Sequence, residues 1–204
     1  MTRFPTPILA VMLVVVGACS SEPPVAETFD QYDEVGTDTV PAAPRPVPGS
    51  FAPSDQSLVA RGRYLVELLG CGVCHTDGAL AGAANPERLL AGSRTGIAYT
   101  SPLQVELPGV IYPPNITPDD ETGIGRWSDQ QIANAITAGL GQHKNRRIVS
   151  MPWPGYARLT DDDTNAIVVY LRSIEPVHHR VPDDVEPGRK ATEPFVYFGV
   201  YRSR

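Results

Sequence analysis

Apolar residues recur at helical spacing in three stretches of this chain. The first begins near Ser54 or Asp55, runs to Leu69 and is followed by Gly70. Its apolar stripe consists of Val59, Gly62, Leu65, Val66 and Leu69. Spacing of three or four positions places these residues on one face, and glycine commonly follows the end of a helix. The pattern predicts an amphipathic helix that ends directly before a cysteine.

The other two stretches have clear start and stop signals. The second begins at Ser128, has Gln131 as capping-box partner, and continues to Leu140 between two glycines. The third has Thr160 as N-cap, three aspartates in its first turn and Pro176 beyond its end. Acidic residues stabilise the positive end of a helix, and proline prevents its continuation. We therefore expect three helices separated by long connections.

The longest connection, residues 76 to 127, is rich in glycine and proline and has no long periodic run. A loop of this length in a compact domain normally needs something to wrap around. A large apolar cofactor would supply that core.

The first residues have the pattern of an export signal. Arg3 precedes an apolar run at residues 8–16, which is too short for the ~20 residues that span a bilayer. Residues 16–19, Val-Gly-Ala-Cys, resemble a bacterial lipoprotein signal, in which the cysteine is acylated and becomes the mature N-terminus. We expect residues 1–18 to be a signal peptide and Cys19 a lipid anchor on the periplasmic side of a bacterial membrane. An ordinary secretory peptide with an incidental cysteine is the alternative.

Residues 20–53 contain seven prolines, scattered acidic residues and few large apolar side chains. They favour a lipidated, proline-rich tether over residues 19–53, which would span about 30 Å as a coil and on the order of 100 Å when stretched. The formal net charge of −6 gives no basic surface for nucleic acid, so we expect no nucleic-acid partner.

Residues 71–75 read Cys-Gly-Val-Cys-His, the attachment motif for c-type haem. Two thiols three positions apart can each form a thioether with a porphyrin vinyl group, and His75 follows as an iron ligand. A bare Cys-x-x-Cys could also be a redox pair or half of a zinc site. With Cys19 acylated, Cys71 and Cys74 are the only thiols, and the βαβ context of a thioredoxin-like pair is absent. We expect one covalent haem c.

The sixth iron ligand decides between an electron carrier and a haem enzyme. Without the signal peptide Met151 is the only methionine, and it lies in the rigid sequence Ser-Met-Pro-Trp-Pro. A lone methionine is often core filler, but this loop favours Met151 as the ligand, with His143 as the alternative. His75 and Met151 would fill both axial positions and leave no site for a small-molecule substrate. Electron transfer is then the expected function, and we expect no enzymatic activity.

Residues 62–76, 114–127 and 151–174 together resemble the class I cytochrome c family. The similarity is strongest to the monohaem domain that recurs in tandem in cytochrome subunits of membrane-bound alcohol and sugar dehydrogenases. It covers about residues 57–177 and implies an all-α class I cytochrome c fold, with about three to five helices and long loops around one haem. It also implies that the first and last helices cross, with Gly62 close to the face that bears Tyr170.

The resemblance further implies roles for three loop residues. The carbonyl of Pro114 would accept the second ring proton of His75, and Asn115 and Trp127 would contact a haem propionate. Ordinary loop packing is the alternative for Asn115 and Trp127.

The chain departs from the tandem subunits in two ways. It carries one haem-attachment motif where they carry several, and it adds a tail, residues 178–204, after the domain at residues 54–177. The aromatic run at 195–201 is expected to pack on the domain, with a docking strip for a redox partner as the alternative. His178 and His179 are expected to be solvated.

These features predict a periplasmic, membrane-anchored monohaem cytochrome that carries single electrons. Its partners would be a dehydrogenase as donor and an oxidase or other protein as terminal acceptor. Two alternatives stay open: a fixed haem subunit of a larger oxidoreductase, or a haem enzyme or sensor with an open sixth position.

Overall fold

The computed structural model describes residues 32–34, 56–141 and 150–203. The signal peptide, Cys19, most of the proposed tether and His143 lie outside these residues. Within them, no helix is both long and apolar enough to cross a membrane.

Two long helices form the centre of the main unit. Helix α1 (Gln56–Leu68) packs against the last helix, α5 (Asp161–Ser173), and the two share an apolar core. The core residues from these two helices are Leu65, Val66, Ala166, Ile167, Val168 and Leu171. Helix α5 begins where expected, because the Thr160 hydroxyl accepts the amide proton of Asp163 at 3.1 Å.

The described residues also form three shorter α-helices and two 3-10 helices, Ala79–Ala81 and Pro86–Arg88. Helix α2 (Cys71–His75) follows Gly70, and α3 (Asp129–Ala138) starts with the predicted capping box between Ser128 and Gln131. Helix α4 (Trp153–Tyr156) precedes α5. Gly139, with φ 66°, ends α3 two residues earlier than the predicted end at Leu140. The helical class I cytochrome c fold expected from the sequence is confirmed.

A small sheet, which the sequence did not predict, joins the long loop to the tail. Strand β2 (Gly96–Ala98) pairs antiparallel with β3 (Val110–Ile111) and parallel with β4 (Phe195–Tyr197). Ala98, Val110 and Tyr112 form a second buried cluster, on which tail residues including Val181, Val185 and Tyr197 pack. Residues 181–197 therefore contribute to a second apolar core, which is distinct from the core shared by α1 and α5.

A separate two-stranded unit contains β1 (Tyr32–Glu34) and β5 (Tyr201–Ser203), which pair antiparallel. Tyr32 is opposite Ser203, and Glu34 is opposite Tyr201. Residues 32–34 belong to the stretch predicted as a tether, so this part of it is a strand.

The crossing of α1 and α5 depends on Gly62. A Cβ atom at this position would overlap the carbonyl oxygen of Ala166 and lie 2.6 Å from Cβ of Tyr170. We expect Gly62→Ala to lower the free energy of unfolding by about 2–3 kcal/mol, because the helix backbones must separate. Urea unfolding of the purified protein would measure it.

Gly155→Ala is the matched control for this substitution. No atom lies within 4 Å of a Cβ built at Gly155, which is exposed in α4. Its unfolding free energy should change by less than about 1 kcal/mol. Equal stability of the two variants would contradict a close helix crossing at Gly62.

Candidate functional site

The motif cysteines and histidine lie on the short helix α2. Gly70 adopts φ 70°, a left-handed conformation that glycine tolerates, and so ends α1 and turns the chain into α2. The amide of Val73 then donates to the Gly70 carbonyl at 2.9 Å. One turn of helix thereby brings Cys71, Cys74 and His75 to the wall of a single cavity.

This cavity has a volume of about 470 Å³ and a predominantly apolar lining. Its volume lies within the ~300–1,000 Å³ range of small-molecule and cofactor sites. Apolar side chains that line it come from β2, β3, the loop after β3, α3, α5 and the tail: Ile97, Ile111, Ile116, Ile132, Ile136, Ile167, Leu171 and Phe198. The long loop between α2 and α3 thus surrounds a cavity that fits a large apolar group.

The ring of His75 has a defined orientation. Its Nδ1 lies 2.8 Å from the carbonyl oxygen of Pro114, which is the contact that the resemblance implied. A carbonyl only accepts, so Nδ1 carries the proton and the lone pair is on Nε2. This is the tautomer that an imidazole uses when Nε2 binds a metal.

Met151 lines the same cavity as His75. It is partly buried two residues before α4, and its carbonyl accepts the amide proton of Trp153 at 2.8 Å. The histidine and the methionine predicted as iron ligands are therefore brought to one cavity. The axial assignment itself stays a prediction, and the alternative ligand His143 is outside the described residues.

Asn115 is fully buried, and both Nδ2 and Oδ1 of its side-chain amide are hydrogen-bonded to protein atoms. Nδ2 donates to the Val177 carbonyl at 2.7 Å and to Thr122 Oγ1 at 3.0 Å. Oδ1 accepts from the amide and the hydroxyl of Thr117 at 2.9 and 2.7 Å. A hydrogen bond from this side chain to a propionate would have to replace one of these contacts, so the geometry favours the loop-packing alternative.

Trp127 lines the cavity and packs against the helical core. Arg172 fixes its backbone: the guanidinium donates to the carbonyls of Ile124 and Gly125 at 3.0 Å and to that of Trp127. It also pairs with Asp129 at 3.0 Å. Arg172 lies in the last turn of α5, where a basic residue also interacts favourably with the negative end of the helix. The contact of Trp127 with a propionate stays a prediction.

Three residues close to Met151 along the chain were not predicted from the sequence to belong to the site. The Tyr156 hydroxyl donates to the Leu69 carbonyl at 2.9 Å, and burial raises its pKa to about 12. Trp153 Nε1 and Ser150 Oγ are buried without a hydrogen-bond partner in the described part of the chain. No periodic pattern identifies such residues, although Trp153 lies in the loop that the sequence marked as rigid.

The residues present fit a haem. The wall is apolar, two thiols and an imidazole lie together on it, and Trp153 and Ser150 are buried donors without a described partner. A porphyrin is largely apolar and carries carboxylates that accept hydrogen bonds, so it suits both features.

The thiols disfavour a redox-active pair. Burial raises the pKa of Cys71 to about 11 and also raises that of Cys74, whereas redox-active pairs depend on a lowered thiol pKa. A structural zinc site needs four ligands, and the described residues contain no group of three or more His, Cys, Asp or Glu that could hold a metal ion.

Residues 59–175 match the family model described as Cytochrome c. This match covers more than half of the 204 residues. The chain belongs to the cytochrome c family. Membership implies a c-type haem and electron transfer, in agreement with the geometry of the cavity.

Curated relatives of this cytochrome are parts of larger enzymes. It is 33 % identical over 134 residues to the cytochrome c subunit of a quinone alcohol dehydrogenase from Gluconobacter oxydans, covering 64 % of this chain and 25 % of that subunit. It is 32 % identical over 143 residues to a fructose dehydrogenase cytochrome subunit from Gluconobacter japonicus, covering 70 % and 26 %. A gluconate 2-dehydrogenase cytochrome c subunit from Pantoea cypripedii is 32 % identical over 125 residues, covering 61 % and 25 %. The cytochrome thus spans about a quarter of the length of these three relatives.

Proposed function

We propose that this cytochrome is a periplasmic, lipid-anchored carrier with one haem, which passes single electrons from a dehydrogenase to a terminal acceptor. The observation that carries the proposal is that His75 and Met151 line the same apolar cavity as the two motif thiols. A histidine and a methionine are the axial pair of electron-transfer cytochromes.

The haem, when bound, supplies a one-electron couple at its iron. Cys71 and Cys74 would hold it through thioethers, and His75 Nε2 and the Met151 sulfur would hold the two axial positions. Pro114 keeps the imidazole oriented through the 2.8 Å contact at Nδ1. The apolar wall would keep water from the haem, and with His75 and Met151 both bound to the iron no position would remain for a substrate.

The partner class is supported by the relatives. Three of them are named as cytochrome subunits of dehydrogenases that act on alcohol, fructose or gluconate. A dehydrogenase is therefore the proposed donor, and an oxidase or another redox protein is the proposed acceptor. The 204 residues contain one attachment motif, which supports one haem in this stretch.

The anchor is supported by the sequence alone. Cys19 follows a short apolar run and two small residues, as the acylated cysteine of a bacterial lipoprotein does. Residues 20–53 would then provide reach between the membrane and the haem domain.

A fixed haem subunit of a larger oxidoreductase is the second candidate. The observation in its favour is the naming of the relatives as subunits of dehydrogenases. This candidate and the carrier have the same cavity and differ in how long the dehydrogenase stays bound.

Expression of wild type and Cys19→Ser in a bacterial host tests the proposed location. We expect wild type in the membrane fraction and the variant in the soluble periplasmic fraction, with identical haem spectra. Release of palmitate from wild-type protein alone, after metabolic labelling, would identify the lipid. Equal distribution of the two proteins would contradict an anchor at Cys19.

Purification from gently solubilised native membranes tests the function. The expected result is a monohaem protein that a membrane dehydrogenase reduces when its substrate is added. A stoichiometric dehydrogenase that remains bound through purification would favour the fixed subunit. Failure of every membrane dehydrogenase to reduce the haem would contradict both candidates.

A further inference from the structure

Residues 177–181, here called the strap, lie beyond the matched family region, which ends at residue 175. The strap is hydrogen-bonded to the loop around Asn115. Val177 accepts from Asn115 Nδ2 at 2.7 Å and its amide donates to Thr117 Oγ1 at 3.1 Å. The amide of His179 donates to Thr122 Oγ1 at 3.0 Å. The strap therefore supplies hydrogen-bond partners to polar groups of this loop, which residues 59–175 alone would leave unpaired.

His179, expected to be solvated, is buried with 7 % of its surface exposed. Its Nδ1 lies 2.9 Å from the carbonyl oxygen of Ala91, and its Nε2 lies 3.0 Å from Nη1 of Arg88. The carbonyl only accepts and the guanidinium only donates, so Nδ1 carries the proton and Nε2 accepts. The ring is therefore a neutral imidazole with one defined tautomer.

Two hydrogen-bond partners of the strap, Ala91 and Asn115, are each adjacent in sequence to a residue that is hydrogen-bonded to His75. Ala91 precedes Gly92, whose amide donates to the His75 carbonyl at 2.8 Å. Asn115 follows Pro114, whose carbonyl accepts from the His75 ring. Gly92 packs so closely that a Cβ atom there would lie 2.6 Å from Val181 Cγ1 and 2.9 Å from the Pro114 carbonyl carbon. Gly92 and Pro114, the two residues hydrogen-bonded to His75, are thus next to residues that the strap contacts.

We propose that His179 is a positioning residue for the axial histidine: through the strap it sets the strength of the bond between His75 and Pro114. This inference rests on the proposed haem site. A stronger bond from Nδ1 to a carbonyl makes the imidazole a more basic ligand, which favours ferric over ferrous iron. A looser strap should therefore raise the reduction potential.

The side chains around the ring are fixed as well. Asp77 Oδ2 lies 4.0 Å from Nε2 of His179 and accepts from Arg88 at 2.9 Å. Within the strap, His178 is exposed near Asp119 and Glu121, and Arg180 is exposed.

Three full-length, haem-loaded variants test this role: His179→Phe, His179→Gln and the control His178→Gln. Phenylalanine removes both ring hydrogen bonds, whereas glutamine can donate to Ala91 and accept from Arg88. Spectroelectrochemistry at neutral pH measures the reduction potential of each protein. The adjacent, exposed His178 controls for loss of an imidazole from the tail.

We expect His179→Phe to raise the ratio of ferrous to ferric protein about fivefold at a fixed potential near neutral pH. At ~59 mV per tenfold change, this corresponds to a reduction potential about 40 mV higher than that of wild type. His179→Gln, which can still make both hydrogen bonds, should keep the wild-type potential. His178→Gln should keep it too.

A fivefold change of the ferrous-to-ferric ratio in His179→Gln, which can still make both hydrogen bonds, would overturn the inference even if His179→Phe fails to fold. So would an unchanged potential in His179→Phe. Failure of the proposed haem site is seen separately, because the wild-type chain would then lack the pyridine haemochrome spectrum of a thioether-bound haem.

Discussion

Replacement of both Cys71 and Cys74 by serine should abolish covalent haem attachment and prevent stable folding. Serine cannot form a thioether, so haem should be lost completely under denaturing conditions. Without the haem, the apolar side chains that line the cavity of about 470 Å³ would lose the group they pack against and face water. We expect this loss to remove most of the ~5–15 kcal/mol that stabilises a typical domain. Haem staining after denaturing electrophoresis and protease resistance of the exported chain measure the two effects.

The single variants Cys71→Ser and Cys74→Ser are the controls for this prediction. Each keeps one thiol on α2, so each should retain haem through one thioether, with an α-band shifted from that of wild type. Recovery of haem from the denatured double variant would show that another residue carries the attachment.

Helices with a local signal could be predicted closely. The hydroxyls of Ser128 and Thr160 cap α3 and α5 as their positions in the sequence indicate. Gly70 and Gly139 end α1 and α3 because both adopt positive φ. Such signals lie within a few residues of each other, so an isolated sequence contains them.

The sheet depends on contacts that no local pattern contains. Strand β3 has only two residues and β2 only three, which is too short for an alternating pattern. The partner of Ile97 on β4 is Val196, almost a hundred residues further along the chain. Only the folded arrangement of loop and tail brings them together.

The predicted site residues differ in how far their roles can be inferred from the sequence alone. His75 and the two cysteines form a contiguous motif, and Met151 was identified as the last methionine after removal of the signal. Asn115 was selected by resemblance, yet its amide serves Thr117, Thr122 and Val177. His179 was misassigned because its partners, Ala91 and Arg88, are about 90 residues away. Adjacent histidines in a polar tail give no sign that one of them is buried.

Met151→Ala should convert the carrier into a haem protein with an open coordination position. The ferric form should lose the weak far-red band that methionine coordination produces, become high-spin, and bind added imidazole or cyanide. Its reduction potential should fall by on the order of 0.2 V, a fraction of the ~0.8 V range that axial ligands control. Optical titration and spectroelectrochemistry measure these changes.

Two further variants decide the identity of the ligand. Met151→His should stay low-spin with a lowered potential, because an imidazole replaces the thioether at the same wall of the cavity. His143→Gln should match wild type in spectrum and potential. Loss of the low-spin spectrum in His143→Gln, with the far-red band absent from wild type, would instead make His143 the ligand. An open sixth position in wild type would favour a haem enzyme or sensor, because electron transfer alone does not require a vacant coordination site.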